Sequence, residues 1–207
     1  MRTLLFILCI WPCAQLKAQQ SGAIAKDTAY NSQFQRTNVF LDNFDDNRNG
    51  WINMPKDKTV AIKDGQFYIN SKTDYRWGVE IPFDVSRNFE MEFVTRIRKK
   101  NFLAEGKFYW GDNCGADRIS MAFFRGDIYI VPRENGKGKK MISINKKLPV
   151  MDTYKYTIRK IDTEYLFYAN EQFVGRMLYK QLYGQRVSFF SSSSELFVDY
   201  LRISYLN

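Results

Sequence analysis

Histidine does not occur anywhere in the 207 residues. His-based catalytic triads, histidine metal ligands and imidazole pH switches are thereby excluded. Cysteine is nearly as scarce. Cys9 and Cys13 fall in the first eighteen residues, which leaves Cys114 in the loop-like GDNCGAD. One thiol cannot close an intrachain disulfide, so a packed core has to hold the domain. With no imidazole to activate it, Cys114 reads as a semi-buried thiol and not as a nucleophile. Twelve glycines and five prolines are too few for a collagen-like or low-complexity chain. No apolar run is long enough to span a bilayer, and no segment repeats at a solenoid or propeller period. Long amphipathic helices are missing too, although MLYKQLYG (177–184) is compatible with a short helical turn.

Aromatic residues are abundant at 16%, within a 45% hydrophobic and 26% charged composition. That balance and length suit one domain with a sizeable core. The opening MRTLLFILCIWPCAQLKA has the form of a secretory signal peptide. Arg2 supplies the positive end, Leu4 to Trp11 the apolar stretch, and Ala18 the small residue before a cleavage point. The reading is therefore signal peptide 1–18, leader 19–37 and domain 38–207, in a protein exported to the periplasm, the cell surface or the medium. Removing Arg2 and Lys17 takes two charges off the formal +9 and leaves +7. The basic clusters RIRKKN (96–101), GKGKK (136–140) and NKK (145–147) fall at expected hairpin ends. Lysines there are solvated and discourage edge-to-edge pairing. Export and the lack of any recognition motif argue against nucleic acid, whereas an acidic polysaccharide or an outer leaflet stays open.

From Asn38 onward the pattern has period 2. In NFEMEFVTRIR, Phe89, Met91, Phe93, Thr95 and Ile97 share one face, and Glu90, Glu92, Val94, Arg96 and Arg98 the other. That is a half-buried antiparallel strand. Lys63-Asp64-Gly65 predicts a hairpin turn, and further turn signals stand at Gly126-Asp127, Asn135-Gly136 and Asn170-Glu171. Many strands without βαβ alternation predict an all-β sandwich or jelly roll.

The segments DNFDDNRNGW, NFEMEFVTRI, GKFYWG, LFYANEQFVGRM and LFVDYLRISY stand in the order seen in concanavalin A-like lectin/glucanase domains. The chain resembles that family over residues 38–206, and in particular its exported Bacteroidetes-type members. The resemblance implies a jelly roll of two antiparallel sheets, with glycans bound on the concave face of one. VDY-hydrophobic-R near the end is similar to the last strand of laminarinase-type hydrolases and laminin G-like modules, some of which hold a structural calcium.

Three groups of residues are candidates for chemistry. A retaining glycosidase needs two carboxyl groups about 5–5.5 Å apart. Glu90 and Glu92 share a strand face and could supply them, in a glycoside hydrolase or a keto-glycoside-active enzyme. The family's three-acid pattern E-x-D-x-E is broken by Val94, however, so the expected reading is surface carboxylates paired with Arg96, Arg98 or neighbouring lysines. DDNRNG has EF-hand-like spacing from Asp45, but Lys56 occupies the position that needs glutamate. A sandwich-type calcium site drawn from Asp42, Asp45 and Asp199 is the alternative, against Asp and Asn simply satisfying turn backbone. No other cofactor is expected.

Sugar rings present C–H faces to aromatics and hydroxyls to polar groups. Trp77, Tyr109 and Trp110 are the candidate stacking residues, with Arg76, Glu80 and Arg118 as polar contacts, while Trp51 reads as a core anchor. The resulting expectation is a non-catalytic, lectin-like or surface-interaction module whose partner is a glycan or a cell-surface molecule. A glycosidase and a structural or adhesive domain are the alternatives.

Overall fold

The computed structural model describes residues 34–53, 59–99, 105–112, 117–124, 127–138, 142–144, 148–149, 151–182 and 184–207. The signal-peptide reading of residues 1–18, most of the 19–37 leader, Cys114 and Gly126 lie outside these.

Strands form wherever the alternation predicts them. In chain order they are β1 (Arg36–Asp42), β2 (Val60–Lys63), β3 (Gln66–Ser71), β4 (Tyr75–Glu80) and β5 (Phe89–Lys99). Next come β6 (Glu105–Asp112), β7 (Arg118–Phe124), β8 (Asp127–Glu134), β9 (Lys137–Gly138) and β10 (Ile142–Ile144). The last five are β11 (Thr153–Ile161), β12 (Glu164–Ala169), β13 (Gln172–Leu178), β14 (Arg186–Ser192) and β15 (Ser194–Leu206). They make two antiparallel sheets. The eight-stranded sheet has the order β13-β12-β11-β5-β15-β3-β2, with β1 also on β15. The seven-stranded sheet runs β10-β8-β7-β6-β14-β4, with β9 on β8. Among the described residues there is no helix, so none is long and apolar enough to cross a membrane. Within the 177–184 stretch, Met177 and Leu178 end β13 and residues 179–182 form no helical turn.

Tight hairpins set the registers. Asp64 and Gly65 both have positive φ between the paired residues Lys63 and Gln66, as a two-residue type I′ turn requires. Asn135-Gly136 and Asn170-Glu171 repeat the arrangement between β8 and β9 and between β12 and β13. The long strand β15 is shared. One edge pairs with β5 from Ser194 to Tyr205; the other pairs with β3 through Val198 and with β1 from Leu201 onward.

The sheets meet through aromatic rings. Phe89, Met91 and Phe93 of β5 are fully buried. Phe93 lies 4.4 Å from Phe108 and 5.6 Å from Phe189 of the opposite sheet, and Trp110 lies 5.8 Å from Tyr165. Offset and edge-on pairs of this kind add about 0.5–1.5 kcal/mol each beyond their buried area.

One carboxylate pins the chain entry. Asp42 Oδ1 accepts from the Phe44 N–H at 2.7 Å; Oδ2 accepts from Asn49 Nδ2 at 2.7 Å and from Trp51 Nε1 at 2.8 Å. The first bond holds Phe44 at φ +57°, a left-handed conformation unfavourable for a bulky residue. The third lets Trp51 be fully buried beside Phe67 of one sheet and Phe189 of the other. Asp42→Ala leaves a buried indole N–H without an acceptor, which costs about 1–3 kcal/mol. Urea unfolding should show that loss in the wild-type background and a smaller one in a Trp51→Phe background.

Candidate functional site

Glu90 and Glu92 lie on the outer face of the eight-stranded sheet, yet they are 2% and 7% exposed. Both are more buried than their sequence suggests, because neighbouring strands lay cations over them. Glu90 receives Arg36 Nε at 2.9 Å on one oxygen and Arg159 Nε at 2.6 Å on the other. Glu92 Oε1 receives Arg202 Nη2 at 2.6 Å and the Tyr200 hydroxyl at 2.7 Å, while Lys155 Nζ stands 3.5 Å from Oε2. The expected partners Arg96 and Arg98 instead lie over the Phe197 ring, at 4.3 and 5.6 Å. Burial alone would push the Glu90 carboxyl up, but Arg36 and Arg159 outweigh it and hold it below its ordinary value. A general acid must hold a proton at working pH, and Glu90 is kept ionised. The pair is the centre of an ion network that ties β1, β5, β11 and β15 together.

The opposite outer face, on the seven-stranded sheet, is built differently. Phe108 and Trp110 of β6 point at the other sheet, so Lys107 and Tyr109 face outward. Strict alternation would turn Asp112 inward with Trp110. A β-bulge prevents it, since Tyr109 is opposite Ser188 but Asp112 is opposite Arg186. Gly111 makes the bulge at φ +66°, with Leu182 Cδ1 2.2 Å from where a Cβ would be. Asp112 therefore shares the outer face with Tyr109.

Arginines from strands on both sides converge on Asp112. Arg76 Nη1 of β4 is 2.8 Å from Oδ2, and Arg118 Nη1 of β7 is 3.8 Å from Oδ1. Both guanidinium carbons lie over the Tyr109 ring, at 5.4 and 5.2 Å, a cation–π geometry. Arg76 has to cross β14 to get there, and the facing positions Gly78 and Ser188 are small. Burial, opposed by the nearby cations, pushes the Tyr109 phenol up; burial and Arg76 lower the Arg118 guanidinium.

Of the sequence-predicted binding residues, Arg76, Glu80, Tyr109 and Arg118 lie on this face. Two do not. Trp110 is 1% exposed and packs on Tyr165 and Phe167 in the core. Trp77 has the inward parity of its cross-strand partner Phe189, stacks on Tyr75, and gives its Nε1–H to the Trp51 carbonyl. Asp112 was missed by sequence reasoning. Its signal was the glycine that interrupts FYWG-D, where the alternation breaks.

The acids proposed for calcium do not gather. Asp42 already accepts three N–H groups, donors that occupy the directions a cation would need. Asp199 accepts from Gln66 Nε2, and Asp45 is exposed. Among the described residues no three acids, with or without cysteine, are grouped to hold a metal. These residues do not fit a calcium site.

The sequence matches no protein-family model and no curated protein sequence. Solved structures do resemble the chain. An endo-β-1,3-glucanase from Pyrococcus furiosus superposes with a TM-score of 0.62 at 13% identity, covering 84% of this chain and 96% of that one. The catalytic domain of an endo-1,3-β-glucanase (laminarinase) from Thermotoga petrophila gives 0.61 at 14%, covering 83% and 98%. The carbohydrate-binding module CBM66 from Bacillus subtilis gives 0.53 at 11%, covering 64% and 83%. At these identities the likeness is one of fold.

Two substitutions check this description. Glu90 has a depressed carboxyl, so its stabilisation is complete above its ordinary value of 4.5 and is lost as pH falls below it. Glu90→Gln leaves Arg159 buried without its counter-ion and should cost about 3 kcal/mol at neutral pH. Acid titrations of stability should also be shallower below pH 4.5 in the variant. Gly111→Ala forces a Cβ into Leu182 at positive φ and should cost about 1–3 kcal/mol by thermal denaturation.

Proposed function

We propose that this concanavalin A-like sandwich is an exported, non-catalytic module that binds a glycan on the outer face of its seven-stranded sheet. The carrying observation is the cluster of Tyr109, Arg76, Arg118 and Asp112 on that face, with Glu80 at its margin. Tyr109 is only 8% exposed, so its ring backs the two guanidinium groups that lie over it, and these fixed donors are the polar contacts that sugar recognition uses. The β-glucanases and the carbohydrate-binding module of the same fold support a glycan as partner. The N-terminal MRTLLFILCIWPCAQLKA supports export.

Chemistry is disfavoured by the acids themselves. Among the described strands none carries carboxylates at i, i+2 and i+4, and the outward positions of β7 begin with Arg118, Ser120 and Ala122. The Glu90–Glu92 pair lies on the other sheet, saturated with cations.

A glycan array probed with the purified protein should give specific signals that Tyr109→Ala weakens about tenfold, or 1.4 kcal/mol. Glu90→Gln should leave them unchanged, and no new reducing ends should appear in the bound polymer. Turnover that Glu90→Gln abolishes would establish the hydrolase instead. A blank array together with capture of a surface protein would establish an adhesive role.

A further inference from the structure

The proposed glycan face carries more guanidinium than its carboxylates neutralise. Arg76 and Arg118 share Asp112, whose side chain is 1% exposed. Arg133 is the direct cross-strand partner of Arg118, and Arg186 that of Asp112. Like charges directly opposite on a sheet destabilise it. Arg133 hydrogen-bonds the Gly136 carbonyl and Arg186 the Gly78 carbonyl, so neither spends its charge on an acid there. Glu80 lies opposite Arg186, Asp117 beside Arg118 accepts the Asn135 N–H, and Glu105 is taken by Lys107 at 2.8 Å. Among the described residues, four guanidinium groups from β4, β7, β8 and β14 thus outnumber the carboxylates Asp112, Glu80 and Asp117.

A second observation points the same way. Ser188 is fully buried on this face, cross-strand from both Gly78 and Tyr109, and its hydroxyl has no hydrogen-bond partner among the described residues. Buried hydroxyls are nearly always bonded, so this one is poised for an oxygen that arrives from outside. Gly78 lets β4 approach β14 closely at this point, since a Cβ there would collide with the Val187 carbonyl and the Ser188 side chain. The fork of a guanidinium matches the paired oxygens of a carboxylate or a sulfate ester.

We infer that the glycan recognised here is an anionic one, bearing carboxylate or sulfate groups that Arg76 and Arg118 hold beside Tyr109. This rests on the glycan-binding reading and narrows it. Asp112 keeps the two guanidinium groups aimed when the site is empty, and the incoming anion adds negative charge to a face rich in arginine.

The test uses the purified full chain on three immobilised polymers: a polyuronate, a sulfated galactan and a neutral β-1,3-glucan. Retention on the polyuronate or the sulfated polymer, and not on the neutral one, is expected, and which of the two retains it identifies the anion. Binding should fall at least about tenfold in Arg118→Gln and recover in part in Arg118→Lys, since a charge-assisted contact is the one removed. Arg96→Gln, on the outer face of the other sheet, should bind as wild type; an equal loss there would overturn the inference in favour of diffuse basic charge. Preference for the neutral glucan, or binding indifferent to Arg118→Gln, overturns the anionic class and leaves the glycan reading standing. No retention on any polymer, with a blank array, overturns both.

Discussion

The register of β5 between β11 and β15 is the constraint on which the rest of the molecule depends. A strand slipped by one residue exchanges its two faces. Here that exchange would drive Glu90 and Glu92 into the aromatic layer and put Phe89, Met91 and Phe93 into water. Both outcomes are expensive, the first because a charge without partners cannot be buried. Correctly registered, Glu90 meets Arg159 on one flank and Arg36 from β1, and Glu92 meets Arg202 on the other. Hydrophobic and ionic terms therefore select the same alignment from opposite sides of one sheet. That redundancy suits a domain whose residues 38–207 hold a single cysteine, so that its stability rests on packing and pairing.

The two outer faces use charge in different ways. On the eight-stranded sheet the carboxylates are buried within a ring of cations, and the network connects strands far apart in sequence. On the seven-stranded sheet a single inserted residue, Gly111, sends Asp112 outward and gathers arginines over a tyrosine. Bulges commonly re-aim side chains at functional sites, because moving one residue costs less than rebuilding a strand. The fold's common architecture thus acquires a local chemistry through one backbone irregularity.

Much of the architecture was legible from residue order. Alternation in NFEMEFVTRIR placed the inward, core face of β5 correctly, and three dipeptide turn signals became type I′ hairpins. The site was less legible, for identifiable reasons. Trp77 and Trp110 announce aromatic character but not the face they occupy, which is a property of parity and packing. Asp112 changes face only because of the bulge. The burial of Glu90 follows from partners 54 and 69 residues away, which no local window contains. Asp42 invited a metal reading because acids near turns have two uses, and Trp51 Nε1 selected the other one.

The position of β15 in the chain has a consequence for how the protein is made. It is the last strand of its sheet in chain order, yet it lies in the middle of that sheet, bordered by β5 on one side and by β3 and β1 on the other. Until Ser194–Leu206 emerge from the ribosome, neither β1 nor β3 has its neighbour, and β5 is paired on one edge alone. The domain thus cannot close before β15 has been made, and a chain that folds from its N-terminal side keeps both flanks of that gap unpaired until these thirteen residues are in place.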